Sequence, residues 1–373
     1  MTPQRPLRRA SPTARTGTGP RAGPSRPRET PIKILITGGA GFIGSTIASR
    51  CLDEDIEVVV LDDLSTGRAE FVHGRNWYQG RIDDGALVDR IFAEHPDIEA
   101  AVGCAAKIVV PESVSAPLYY YNENVVAGLA LISHLLRNGC HRFVFSSSAA
   151  IYAPGPAITE RAPLNPMSPY ARTKAHFEQA LEDITAGTKL RAVSLRYFNP
   201  VGADPRLRTG LQVRRPTHAL GVMIDKYHSG EPYPVTGTDW ETRDGTGIRD
   251  YVHVWDLAGA HLDALRRFDA ITSSDGAGAY RVINLGSGAG TTVLELITAF
   301  EQVTGTALPV EHLDRRPGDN AGAYPDITLA GELLGWRPAL TVEQGIADSL
   351  AWYARRDTVL TGDAGVVRVP GGA

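Results

Sequence analysis

The chain has no run of roughly 18 consecutive apolar residues, the length a helix needs to cross a bilayer, so no helical membrane span is expected. Cysteine is scarce: Cys51, Cys104 and Cys140 are odd in number, widely spaced, and without a CxxC pair or a histidine cluster beside them. That pattern supports neither a disulfide framework nor a zinc or other metal site. The N-terminus lacks the apolar block of a secretory signal, which makes the cytoplasm the expected compartment. Residues 1–30 contain hardly an aliphatic side chain. Rich in Pro, Arg, Thr, Ser and Gly, they cannot bury enough surface to repay their ordering entropy, and a disordered tail is expected there. Its arginines suit phosphate, while an extended start in an arginine-rich coding sequence is the plainer reading. The net charge is -4 with the tail included, so the remainder is distinctly acidic and a nucleic-acid partner is not expected.

What is present is a globular composition. Hydrophobic residues make up 43% of 373 residues, enough for one large or two modest domains. Short β-branched runs alternate with amphipathic stretches: "IKILIT" from Ile32, "EVVVLD" from Glu57, "IEAAVG" from Ile98, "RFVFSS" from Arg142, "LRAVSLR" from Leu190 and "YRVINLG" from Tyr280. The alternation predicts an α/β fold, a Rossmann-type doubly wound parallel sheet with helices on both faces. Segments near 200–255 and 305–345 are rich in Gly, Pro and Thr and break the rhythm. They are expected to form a smaller C-terminal α/β lobe that closes over a substrate. The expected boundaries are 31–196 for the dinucleotide domain, 197–355 for the lobe and 356–373 for a flexible tail. A strand and helix near 250–300 are expected to return to the first domain.

The first run leads into "TGGAGFIGS", where Gly38, Gly41 and Gly44 are three apart as a helical pattern begins. Such glycines let a backbone turn approach a pyrophosphate, whose charge sits on the following helix N-terminus. The second run ends in Asp62 and Asp63, about 18 residues on, where a carboxylate accepts from ribose hydroxyls and disfavours a 2′-phosphate. NAD is therefore expected, with Arg68 keeping NADP open. Farther on, "SPYARTK" sets Tyr170 and Lys174 one helical turn apart, a spacing that is ordinary on any exposed helix.

Taken in order, "TGGAGFIG", "SSSAAIY" and "YARTK" resemble the extended short-chain dehydrogenase/reductase superfamily. "LRYFNPVGA" from Leu195, "DGTGIRDYVHVWDLAGAH" from Asp244 and "RRPGD" from Arg315 resemble its UDP-glucose/UDP-galactose 4-epimerase branch, over about residues 32–353. The resemblance implies NAD-dependent 4-epimerization of a UDP-hexose through a transient 4-keto sugar, by a homodimer paired through helices near 113–138 and 170–186. It implies Tyr170 as the base, Lys174 as its electrostatic partner and a ligand of the nicotinamide ribose, and Ser148 as a hydrogen-bond donor to the 4-oxygen. For NAD it implies contacts from Gly38, Gly41, Phe42, Ile43, Gly44, Asp62, Asp63, Arg81, Ile82, Ala105, Ala106, Lys107, Glu123 and Phe198. For the UDP-sugar it implies Ser148, Tyr170, Asn199, His218, Val235, Thr236, Arg249, Arg316, Asp319 and Ala323. Arg249 and Arg316 would clamp the diphosphate. Ala323 falls at a gate beside the sugar's 2-substituent, where a small residue admits an acetamido group. Tyr324 lies next to it, so a one-residue slip would reverse that inference.

Several positions depart from the branch. Arg81 stands where an acidic residue usually binds the adenine amine, with Asp83 as a substitute, and Glu123 where an NAD-contacting Asn is common. Gly103 and Cys104 replace a usual His-Phe, and Lys107 precedes the place, Ile108, where some members carry lysine. Ala149 and Ala150 follow Ser148 where 4,6-dehydratases carry Asp and Glu and UDP-glucuronate decarboxylases a Glu, which argues against those reactions. A UDP-glucuronate 4-epimerase and a non-catalytic NAD- or UDP-sugar-binding sensor remain alternatives.

Overall fold

The computed structural model describes Met1 and residues 32–273, 278–315 and 320–361. The expected tail over 1–30 thus lies, apart from Met1, outside the described residues, as do Arg316, Asp319 and the chain beyond 361. Seven strands form one parallel sheet: β1 (Lys33–Thr37), β2 (Glu57–Asp62), β3 (Asn76–Gln79), β4 (Ile98–Gly103), β5 (Arg142–Ser146), β6 (Arg191–Tyr197) and β7 (Tyr280–Leu285). They lie in the order β7-β6-β5-β4-β1-β2-β3. The chain winds outward from β1 to β3 and then returns to β4 on the other side of β1. Such a reversal opens a crevice at the C-terminal strand ends, where doubly wound sheets hold dinucleotides. Six of the strands are the apolar runs of the sequence, continuous because helices cover both faces. The seventh, β3, is the short edge segment "NWYQ", exposed at both ends and without an apolar run to announce it.

One face of the sheet packs on the helices Phe42–Asp53 and Val254–Arg266 through Ile47, Ala48, Cys51, Leu257 and Leu262. The other packs on the helices Gly85–Glu94, Ala127–Arg137 and Pro169–Gly187 through Ile91, Leu131, Leu135, Phe177 and Leu181. The helix Val254–Arg266 therefore belongs to the dinucleotide domain although the chain has already visited the lobe. All three cysteines are free thiols.

The lobe has its own core of Leu220, Met223, Val235, Leu296, Phe300 and Ile346. It is not continuous in the chain, because the strand Gly155–Ile158 pairs with Gly322–Pro325 in a small four-stranded sheet. The tail expected from 356 starts too early. The helix Val342–Val359 runs through it, Arg356 is buried, and Leu360 packs beside Phe71 and Trp352. Trp352, Arg356 and Leu360 are four apart, so one helical face goes on facing the protein.

Beneath the C-terminal strand ends, Arg196 of β6 meets Glu178, both side chains nearly excluded from solvent. The guanidinium also donates to Tyr152 Oη at 2.7 Å and to the Glu160 carbonyl at 3.3 Å, and Ser147 Oγ donates to Glu178 Oε1 at 2.5 Å. Removing one charge from a buried pair strands the other. Glu178→Gln is expected to cost about 3 kcal/mol, measured as a shifted midpoint at unchanged slope in urea unfolding.

Candidate active site

The glycine turn lies between β1 and the helix Phe42–Asp53. Gly38 has φ +71, and a Cβ there would sit 2.5 Å from the Ala105 amide nitrogen; one on Gly44 would sit 2.3 Å from the Gly38 carbonyl. Both positions therefore require glycine. Gly41 is the N-cap and no side chain caps the helix, so its first amides face the crevice without an acidic competitor. Phe42 and Ile43 follow in the first turn. Asp62 is buried at the end of β2 and accepts from the amides of Ala40 at 2.9 Å and Leu64 at 2.8 Å. Burial raises its carboxyl, which those amides partly offset. Asp63 accepts from Ser65, through the amide at 2.9 Å and the hydroxyl at 2.6 Å. Arg68, which kept NADP open, is buried and paired with Glu70 at 3.1 Å. Ala105, Ala106 and Lys107 follow β4, and Lys107 Nζ donates to Ser65 Oγ at 2.6 Å. Arg81 and Ile82 follow β3. The Arg81 guanidinium spans Asp83 and Glu123, so two positions noted separately as departures turn out to be partners.

The next strand end brings the catalytic candidates together. Ser148 follows β5 and caps the short turn Ala149–Ile151, accepting from Ala150 N at 3.2 Å. Its hydroxyl is close enough to the Tyr170 phenol to favour the phenolate. Tyr170 and Lys174 lie on the helix Pro169–Gly187, started by Pro169 at its first position and by the Ser168 side chain accepting from Ala171 N at 3.1 Å. Tyr170 is half-buried, and desolvation raises its phenol while Ser148 lowers it. Lys174 is buried. Its ammonium donates to the Ser146 carbonyl at 2.8 Å and lies 4.6 Å from the centre of the Phe145 ring. Burial brings its pKa down to about 8, with Cys104 and Glu178 opposing the shift. The ammonium is thus held by the strand end rather than by the phenol, and it remains largely protonated at neutral pH.

The lobe adds the remaining candidates. Phe198 is buried just past β6. Asn199 begins the strand Asn199–Val201, paired with Tyr251–His253, and its Nδ2 donates to the Asp250 carbonyl at 2.8 Å. His218 caps the helix Ala219–Ser229 by accepting from Gly221 N at 3.2 Å. Val235 is fully buried in the lobe core while Thr236, next along the strand Tyr233–Thr236, is half-buried, so of the two only Thr236 offers its side chain. Arg249 lies on a short strand with Ala323 opposite it in register. The strand Gly322–Pro325 alternates as a strand must. Ala323 packs against the cluster of Ile151, Tyr152 and Ile158, which Ala149 of the Ser148 turn also joins, whereas the Tyr324 ring approaches Gly290 and Ile248. The small residue therefore faces the Ser148 turn, and the tyrosine does not.

The glycine turn follows β1, the acidic pair lies at the end of β2 and Ser148 follows β5, all at the C-terminal strand ends of one sheet. Comparison with known proteins identifies the family. Residues 34–286 match the family model described as the NAD dependent epimerase/dehydratase family. The chain belongs to this family. It is 40% identical to the UDP-glucose 4-epimerase of Bacillus subtilis (strain 168), over 87% of this chain and 97% of that one. Its fold superposes on the UDP-glucose-4-epimerase of Stenotrophomonas maltophila, solved with NAD and a formylated UDP-arabinopyranose, with a TM-score of 0.82 at 34% identity, covering 88% of this chain and 99% of that one. It also resembles the UDP-Glc/GlcNAc 4-epimerase of Campylobacter jejuni, with a TM-score of 0.74 at 34% identity, covering 87% and 99%.

Three groups near this family site escaped the sequence reading. Asn124, next to Glu123, accepts from Lys107 N at 2.7 Å and donates to the Lys107 carbonyl at 2.9 Å and Thr173 Oγ1 at 3.0 Å, tying the β4 end to the residue before Lys174. His261 Nδ1 lies 2.8 Å from the Leu257 carbonyl, so that nitrogen carries the proton and Nε2 accepts from Ser146 Oγ at 3.0 Å. Asp250 is buried and receives the amides of Ser287 at 2.7 Å and Gly288 at 3.0 Å, and burial pushes its carboxyl up to about 6. Of the three, Asp250 and His261 carried a signal, as members of the "DGTGIRDYVHVWDLAGAH" motif, and Asn124 carried none.

Proposed function

We propose that the protein is a UDP-sugar 4-epimerase that interconverts UDP-glucose and UDP-galactose with NAD as cofactor. The observation that carries this reading is the placement of Ser148, Tyr170 and Lys174 at the strand ends beside an uncapped glycine turn. The residues fit the cofactor: Gly38 and Gly44, where a Cβ would strike the backbone of Ala105 and of Gly38, allow the tight turn that presents the uncapped helix N-terminus to a pyrophosphate. Asp62 and Asp63 supply carboxylates at the ribose. Gly38, Gly41, Phe42, Ile43 and Gly44 would hold the pyrophosphate, Ala105, Ala106, Lys107 and Phe198 would line the rest of the path, and Lys174 would reach the nicotinamide ribose. When bound, NAD supplies a hydride acceptor that returns the hydride to the sugar.

On the protein side, Tyr170 takes the proton of the 4-hydroxyl as C4 is oxidised and returns it after the opposite face has been presented. Ser148 donates to the 4-oxygen while it is a ketone. Burial raises the phenol and Ser148 opposes that shift; the Lys174 cation, one helical turn on, would favour the phenolate further. Asn199, His218, Thr236, Arg249, Arg316 and Asp319 would hold the nucleotide as a fixed handle while the sugar turns. Ala149 and Ala150 offer no acid or base for a dehydration. Purified protein should convert UDP-galactose to UDP-glucose, with or without added NAD. Binding of UDP with no conversion after NAD is supplied would favour a non-catalytic sensor instead.

The position of Ala323 favours a second substrate class, the UDP-N-acetylhexosamines. Ala323→Tyr is expected to lower kcat/KM for UDP-N-acetylgalactosamine roughly a hundredfold relative to UDP-galactose, since steric exclusion acts on the larger sugar alone. An equal effect on both sugars would remove Ala323 from that role. The same reading makes the protein a cytoplasmic homodimer. Ile108, Val114, Leu118 and Val126 are exposed along the segment beside the helix Pro169–Gly187, an apolar patch suited to a second copy. Sedimentation of Leu118→Glu and wild type should separate monomer from dimer.

A further inference from the structure

We propose that Arg81 is a positioning residue for cofactor retention, a brace that closes the adenosine end of the crevice by joining the loop after β3 to the helical turn Asn122–Val126. The inference rests on the reading that NAD is bound. In the strand order β1-β2-β3, a dinucleotide whose pyrophosphate lies on the Gly38–Gly44 turn and whose ribose lies at the end of β2 extends outward toward β3. Arg81 stands at that outer end. Its Nε and Nη2 donate to the two Asp83 carboxylate oxygens at 2.9 and 3.0 Å, and its Nη1 donates to both Glu123 oxygens at 3.1 Å. A guanidinium has five N–H groups in a fixed fork, and this one is largely committed to two carboxylates, leaving little for a base edge. It is built to connect two segments.

The Glu123 side chain is 16% exposed and Arg81 47%, so the pair is better shielded on the side that faces the fold. Glu123 lies on a π-helical turn, a local widening frequent at functional sites. The next residue, Asn124, fixes that turn to Lys107 and Thr173. From the other flank, Lys107 reaches Ser65 in the loop after β2. The adenosine path is thus bounded by side-chain contacts that join neighbouring segments.

The test is nucleotide release. Protein loaded with NADH is chased with excess NAD, and the decay of bound-nucleotide fluorescence is followed. Arg81→Ala is expected to release NADH about threefold faster than wild type and Glu123→Gln by a smaller factor, because a partly exposed ion pair is worth about 0.2–1 kcal/mol. The double variant should match Arg81→Ala, since the two residues form one brace. Arg81→Lys, which keeps the charge without the fork, should fall between. Release of NADH from Arg81→Ala at the wild-type rate overturns the inference, and so does a double variant in which the two effects multiply. Wild-type protein that takes up no NADH at all would overturn the NAD reading itself, and normal uptake with unaltered Arg81→Ala release would overturn the brace alone.

Discussion

Tyr170→Phe should lower turnover of UDP-galactose about a thousandfold or more, while NAD content and UDP affinity stay at wild-type levels. General acid–base catalysis by one positioned group is worth about 10²–10⁴-fold. The phenol here is the titratable group beside Ser148, one helical turn from Lys174. Phenylalanine keeps the ring, so packing on the helix Pro169–Gly187 survives and only the proton carrier is lost. Ser148→Ala should cost less, about a hundredfold, because it removes one donor to the developing ketone while leaving the base in place. The check is kcat for each variant beside nucleotide content released on denaturation. A Tyr170→Phe enzyme that kept a tenth of wild-type turnover would sink the assignment of the base.

The parts that sequence reading found are those where chemistry constrains a short stretch. Six of the seven strands were legible because parallel strands covered on both faces are apolar for most of their length, and the glycine turn because Gly38 and Gly44 have no room for a Cβ. The helical pair Tyr170 and Lys174 was legible from spacing alone, with its chemical meaning supplied by family resemblance. Edge strand β3 was not legible, since a half-exposed strand of four residues leaves no apolar signature. Nor was the meeting of Arg81 with Glu123. They are 42 residues apart and each resembles a lone anomaly until the fold brings β3 beside the π-helical turn. The same holds for Asn124, whose bonds go to the backbone of Lys107 and to Thr173, partners that no local pattern reveals. The gate expected at Ala323 was half legible: alternation along Gly322–Pro325 sends Ala323 and Tyr324 to opposite faces, and only the packing of each shows which face is which.

Lys174→Met should inactivate the enzyme by about a hundredfold or more and yet make the nucleotide-free protein more stable at neutral pH. Both effects come from one buried cation. Desolvation lowers the Lys174 pKa from 10.5 to about 8, so the folded protein binds the proton less tightly than the unfolded chain does. By linkage the charged form costs about 3 kcal/mol, a penalty fully present below pH 8 and relieved as pH rises from 8 toward 10.5, where the unfolded lysine also loses its proton. Methionine removes the charge and fills a similar volume against the Phe145 ring. It also forfeits the hydrogen bond to the Ser146 carbonyl, worth about 1 kcal/mol. The net gain at pH 7 is therefore about 2 kcal/mol, and it should shrink to near zero by about pH 9.5, where the penalty has fallen to about 1 kcal/mol. Urea unfolding of both proteins, stripped of nucleotide, at pH 7 and 9.5 measures this directly. A variant less stable than wild type at pH 7 would mean that the ammonium is well solvated or paired in the folded state. A stabilised, inactive variant would identify Lys174 as a charge retained for catalysis against the interest of the fold.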